Sequence, residues 1–221
     1  MEIIRLLSPR ITGLSKIRVG NSNDGGYVII DPRDLRMPDV LYSYGIGDDI
    51  SFEMDFRSIV QIPVHMYDHT IKKPIHVSDS VHWHNIKATP EIFSNIRENS
   101  FVKMDIEGDE YDIFRGVSES VLSRANQLVV EYHHVGGKYI DVYDKISRIF
   151  YLVHVHGNNF SNLDSNGIPR VLECTYINKE IYHTLFDEEP KFDPNVYPTS
   201  MDSPNKKNFP DLSLEYRIKS I

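Results

Sequence analysis

Cysteine is almost absent from this 221-residue chain: Cys174, in VLECTYI, stands alone. With no second thiol, no disulfide framework can form, and a reducing compartment, the cytoplasm, is the expected setting. Long apolar runs are missing too. Nothing approaches the roughly 18 consecutive apolar residues of a transmembrane helix, and MEIIRLLSPR is too short an apolar start for a signal peptide, so no membrane insertion is expected. Positive charge is in deficit, with 24 Lys and Arg against 32 Asp and Glu and a formal net charge of −8. That balance argues against a phosphate-binding surface as the main business and removes nucleic acid from the expected partners, though it leaves room for a local basic patch. Repeats and low-complexity tracts are absent, and so is the phosphate-loop motif GxxxxGK[ST].

What is present is an ordinary globular composition, 40% hydrophobic and 25% charged, in segments that alternate in period. VLYSYGIG (40–47), VHMYD (64–68), SVHWHNI (80–86), FVKMD (101–105), NQLVVEYHH (126–134), YLVHVHGNN (151–159) and RVLECTYINK (170–179) read as strands. SFEMDFRSIV (51–60), PEIFSNIREN (90–99), DEYDIFRGV (109–117) and DVYDKISRIF (141–150) place apolar residues on one helical face. Strands alternating with helices predict an α/β fold with a mostly parallel sheet covered on both faces, and the short SNLDSNGIP turn predicts a final antiparallel hairpin. A single domain spanning 1–221 is expected, with a core at about 18–180. Residues 185–221, rich in Pro, Asn and Asp, read as an extended tail or lid.

Open α/β sheets bind ligands beyond the carboxyl ends of their strands. There the sequence offers YGIGDD, YDHT, MDIEGDE and VEYHH. Gly45 and Gly47 let the backbone approach a ligand, with Asp48 and Ser51 opening the next helix. Asp68 lies 21 residues beyond Gly47, where a carboxylate suits the two hydroxyls of a ribose. Ile50 occupies the third glycine position of GxGxxG, and Asp48–Asp49 would repel a pyrophosphate, which weakens a nicotinamide-dinucleotide reading. A nucleoside with a ribose, no phosphates and a cationic centre fits better, and S-adenosylmethionine is such a ligand.

YSYGIGDDISFE, MYDHT, FVKMDIEGDEYDIFRG, VVEYHH and VHVHGNNF…GIPRVLECTYINK, together with VGNSNDGGYVII upstream, resemble the FkbM-type O-methyltransferases in order and spacing over roughly residues 18–180. The resemblance implies a class I methyltransferase fold, Rossmann-like, with seven strands, the last antiparallel, and helices on both faces. It also implies S-adenosylmethionine as donor and an oxygen acceptor, frequently on a sugar such as a deoxysugar of a glycan. Such an enzyme is expected to work beside glycosyltransferases or fused to one. Asp24 of DGGY becomes a further donor contact. One departure concerns residues 69–79, barely long enough for a parallel crossover, so the usual helix there must be short or lost; His69 and Lys87 are the candidates on the adenine side.

Removing the acceptor proton needs a base or a metal ion. Asp105 and Glu131 end adjacent strands, and with His133, or the amides of Asn158 and Asn159, they form a candidate Mg²⁺ or Mn²⁺ site. The metal-free version uses His133 or His156 as base. Asp105, and with it Glu107, is assigned to the reaction site. Asp109, Glu110 and Asp112 are read as helix-start acids, with Asp109 as the cap. The competing reading is a methyltransferase-like domain that binds a glycan or protein without turnover.

Overall fold

The structure is a computed structural model that describes residues 2–72 and 80–215. An amino-terminal turn of helix, α1 (Glu2–Leu6), leads into a hairpin of β1 (Lys16–Val19) and β2 (Tyr27–Ile30). The main succession follows: β3 (Val40–Tyr44), α2 (Ser51–Val60), β4 (Val64–Tyr67), β5 (Val81–His84), α3 (Pro90–Phe93), β6 (Ser100–Met104), α4 (Glu110–Gly116), α5 (Glu119–Leu122) and β7 (Ala125–His133). The last elements are α6 (Ile140–Ile149), β8 (Phe150–Gly157), β9 (Val171–Asn178) and α7 (Lys179–His183).

Seven strands form one sheet in the order β5-β4-β3-β6-β7-β9-β8. The first five are parallel, and β9 is antiparallel to both its neighbours. The expected closing hairpin is therefore present, with β9 inserted between β7 and β8. All five residues of β6 are buried, as a central strand covered on both faces requires.

Local chemistry explains the elements that flank the site. Phe52, Phe56 and Val60 recur every four residues on α2 and are buried against Leu41, Val64 and Phe101. Each such side chain contributes roughly 1.5–3 kcal/mol of burial. Asp49 precedes this helix and accepts from the Ser51 N–H and hydroxyl. Helix α3 begins with Thr89 capping the Ile92 N–H and Pro90 in the first turn. It ends at Phe93, well short of the predicted 90–99, as the backbone tightens to three-residue turns, with Asn95 N–H donating to the Ile92 carbonyl and Ile96 N–H to that of Phe93, and Asn99 turns left-handed at φ 58. The short elements α1, β1, α5 and α7 lie outside the expected set.

The β1–β2 hairpin docks on the sheet through the Gln127 side chain, which exchanges two hydrogen bonds with the Ile30 backbone as a neighbouring strand would. Beyond α7 the tail runs without helix or strand to residue 215, yet Asp193, Tyr197, Asn205 and Leu214 are buried. The predicted shortening of residues 69–79 falls largely on 73–79, outside the described residues. Among the described residues no helix is long and apolar enough to cross a membrane.

Candidate active site

Two glycines shape the turn after β3. Gly45 has φ 76, and a Cβ there would lie 1.6 Å from the Asp105 carbonyl oxygen, so β3 and β6 end in a backbone contact that only glycine permits. Gly47, at φ 58, faces open space. One Asp68 oxygen accepts from the Ile46 and Gly47 amides at 3.0 and 3.1 Å, and the other accepts from the Thr70 N–H and hydroxyl, both at 2.7 Å. Burial opposes the charge, but these hydrogen bonds outweigh it and hold the carboxyl down to about 2.

This turn borders a cleft of about 480 Å³, open mouth included, within the usual range for small-molecule sites. Gly45, Tyr67, Asp68, His69, Thr70, Lys87, Asp105, Glu107 and Asp109 are among its walls. Among the described residues Lys87 is the one lysine or arginine there against four carboxylates, and its ammonium is paired with Asp109 at 2.6 Å. The charge balance suits a cationic ligand rather than a phosphate.

Beside the cleft, Asp105, Glu131 and His133 converge, with one ligand atom of each within 4.8 Å of the others. The sheet register sets Glu131 directly opposite Glu173, and Glu173 opposite His156. Like charges facing across a ladder repel, so this row needs compensation. Tyr27 supplies some of it, its single hydroxyl lying 2.9 Å from Asp105 Oδ2 and 3.3 Å from Glu131 Oε2. Asn158 donates to Glu131 Oε1 at 2.9 Å, and Asn205 donates to Glu173 Oε1 at 2.6 Å. Burial, with the charges of Asp105 and Glu173, still pushes the Glu131 carboxyl well upward.

His133 is held by Glu110, a fully buried residue of α4 whose Oε1 lies 3.0 Å from Nδ1. A carboxylate only accepts, so Nδ1 carries a proton, and in the neutral imidazole Nε2 holds the lone pair. Nε2 lies 3.3 Å from exposed Glu107 and 3.8 Å from Glu131. Burial pulls the His133 pKa down, but Glu110, Asp105 and Glu107 together raise it above its ordinary value. Glu107 itself sits at φ 61, a strained conformation for a residue with a side chain.

Gly45, Asp68, His69, Lys87 and Asp105 thus line the cleft, Gly47 is fastened to it, and Glu131 and His133 stand beside Asp105. Other candidates lie elsewhere. Asp48 and Ser51 are not in the cleft wall, and Ser51 is spent on Asp49. Asp24 lies in the carboxylate row, taking a hydrogen bond from Asn205, and burial raises its pKa. Asp68, expected at the ribose hydroxyls, stands in the cleft wall and accepts four hydrogen bonds from its own loop, two at each oxygen.

His156 is a clear correction. It is 2% exposed and donates from Nδ1 to Glu173 at 3.0 Å and from Nε2 to Asp211 of the tail at 2.9 Å. Burial lowers its pKa, but Glu173, Asp211 and Asp202 win and push it up to about 10. With no free nitrogen it is no base. Asn159 is likewise turned to the tail, bonding Lys206 and Pro210, while Asn158 acts on Glu131. Asp109 makes no side-chain cap; instead Glu110 Oε1 accepts from the Ile106 and Gly108 amides at 3.1 Å each. Sequence reasoning misses Tyr27 and Glu110, although both lie in motifs it singles out.

A parallel sheet closed by an inserted antiparallel strand, with a glycine-bounded acidic cleft at its carboxyl end, is the architecture of the class I methyltransferases. The model of the Methyltransferase FkbM domain matches residues 28–160, more than half of the chain, and the chain belongs to that family. No curated protein matches it significantly. Among solved structures, WbdD is similar at 12% identity and a TM-score of 0.46, covering 76% of this chain and 41% of its own. A chain of the fibrillarin/Nop5p complex is similar at 8% and 0.45, covering 65% and 74%. The Burkholderia thailandensis 1,6-didemethyltoxoflavin-N1-methyltransferase, with S-adenosylhomocysteine bound, is similar at 10% and 0.39, covering 64% and 71%.

Proposed function

We propose that this chain transfers a methyl group from S-adenosylmethionine to a hydroxyl oxygen of a carbohydrate, a deoxysugar such as rhamnose in a glycan being a suitable acceptor. The observation that carries the reading is His133, with one nitrogen locked by buried Glu110 and the other left beside Glu107 at the cleft wall. An alcohol must lose its proton as its oxygen is methylated, and an oriented imidazole is suited to take it. The carbohydrate assignment follows the family's habits.

When bound, S-adenosylmethionine supplies an electrophilic methyl group on a sulfonium. The groups that would hold it are the Gly45 and Gly47 backbone, Asp68 with Thr70, His69 and Lys87, and the cleft's excess of carboxylates suits its positive charge. Asp105, tied to Tyr27, would fix the acceptor hydroxyl. His133 Nε2 would receive its proton while Glu110 keeps Nδ1–H in place and stabilises the imidazolium.

The 4.8 Å convergence of Asp105, Glu131 and His133 favours a second reading, in which these residues hold Mg²⁺ or Mn²⁺. Two oxygens and one imidazole nitrogen suit such an ion, and the repulsion at buried Glu131 would be relieved by it. It would lower the pKa of a coordinated hydroxyl. Nε2 can bind a metal or take a proton, not both, so the two readings exclude each other.

Calorimetric titration with S-adenosylmethionine and with NAD tests the donor: heat is expected with the first alone, and its absence at millimolar donor sinks the reading. Labelled donor assayed against oligosaccharides and nucleotide sugars tests the acceptor, with label expected on a sugar oxygen. Asp105→Ala is expected to abolish that transfer.

A further inference from the structure

At the end of the sheet opposite the donor cleft, where β8 begins and β9 ends, lies a second cleft of about 580 Å³. Arg5, Arg10 and Lys179 stand in its wall, and among the described residues Glu189 is the sole carboxylate there. Three cations to one anion is the reverse of the chain's overall balance of −8. The three come from separate segments: α1, the loop after it, and the start of α7. The fold has therefore gathered them; they are not a run of sequence.

Their partners do not account for their charge. Among the described residues none of the three has a carboxylate within 4.0 Å. Arg10 rests 3.7 Å from the centre of the Phe192 ring and gives one N–H to the Pro190 carbonyl at 3.1 Å, which fixes the guanidinium and leaves other donors unspent. Lys179 lies 4.8 Å from the centre of the Tyr151 ring and has no hydrogen bond of its own among the described residues. Burial foremost pushes both pKa values down, Glu189 opposes it in part, and repulsion from a neighbouring guanidinium adds a smaller push downward. The protein thus holds partly desolvated cations together without sufficient counter-charge.

We propose that this cleft is an anion site for a phosphate-class group, received by Arg5, Arg10 and Lys179. Donors from three segments can each meet a different oxygen of a phosphomonoester, whereas a carboxylate offers two oxygens on one edge. The site lies away from the methyl-transfer centre and does not depend on the reading of that centre.

Calorimetry of the full chain with inorganic phosphate is expected to show saturable one-to-one binding, with acetate and chloride at matched ionic strength at least about tenfold weaker. Arg5→Gln combined with Lys179→Gln is expected to weaken phosphate binding by at least about tenfold, since two charge-assisted contacts are lost. Glu189→Gln should tighten it severalfold. Lys179→Gln alone, in phosphate-free buffer, should hold or raise Tm because the cost of the half-buried charge is relieved. Equal binding of acetate, an unchanged affinity in the double variant, weaker binding in Glu189→Gln, or a fall in Tm for Lys179→Gln would each overturn the proposal. Vesicles of phosphatidylcholine with and without phosphatidic acid separate the sources. Retention on the acidic vesicles assigns the site to a lipid head group, and phosphate binding without retention assigns it to a soluble phosphate ester.

Discussion

His133 ends β7 and His156 lies one residue before the end of β8, two strands apart in the same sheet, and each is flanked by carboxylates. Their surroundings nonetheless make them opposites. His133 has one nitrogen engaged by a buried acid and the other beside an exposed one, so it can gain and lose a proton within reach of solvent. His156 has both nitrogens engaged and is sealed beneath the tail, so it keeps its proton and clamps Asp211 to Glu173. A histidine among acids is thus a base or a fastener according to whether its second nitrogen is spent.

The sharpest way to break this contrast is to remove each ring. His133→Ala is expected to lower kcat by about 10²–10⁴-fold, with a smaller loss of Tm than His156→Ala because buried Glu110 keeps the Ile106 and Gly108 amides. His156→Ala should do the reverse, costing roughly 3–5 kcal/mol of stability by stranding buried Glu173 and half-buried Asp211, with kcat of the folded fraction near that of the parent. Steady-state kinetics and denaturant unfolding on both variants decide it; equal losses of turnover would erase the distinction. Glu110→Gln keeps the shape but removes the orienting charge, and a roughly 10–100-fold loss of activity is expected.

A smaller effect appears in pH. The folded pKa of His156, about 10, lies above the ordinary histidine value of 6.5. Its contribution to stability is then fully present below pH 6.5 and is lost as pH rises toward 10. Thermal unfolding of the parent should show Tm falling across that window, and His156→Gln should flatten the slope. Asp68 has the opposite sign: its contribution, present above 3.8, is lost as pH falls toward 2. Mn²⁺ titration followed by electron paramagnetic resonance sharpens the His133 side. Stoichiometric binding that Glu131→Gln weakens favours the metal reading, and unchanged spectra leave the imidazole as base.

The strand ends from Tyr44 to His133 are legible in the sequence because buried strands announce themselves as apolar runs and glycines mark the turns beyond them. Asp105, Glu131 and His133 are found in that way. His156 misleads for a physical reason: VHVHGNN shows that His154 and His156 share a face, but not that Asp202 and Asp211 return from some fifty residues away to cover it. Glu110 passes for an ordinary helix-start acid, because the helix dipole favours carboxylates there whether or not they are buried. Elements α1, α5 and α7 span five residues or fewer, too short for a helical period to register. The predicted helix over 90–99 fails in the tightened turns after Phe93 and at Asn99, backbone features that are local and invisible to periodicity.

The insertion of β9 also bears on the order of assembly. Strands β7 and β8 are made first, yet neither pairs with the other; each pairs with β9. Until residues 171–178 emerge from the ribosome, the nascent sheet holds an unzipped seam whose facing backbone edges have no partner. The seam closes only when the chain doubles back into it, so one of the last strands synthesised becomes an interior one, and a chain arrested before Val171 would present two sticky edges to any holding chaperone.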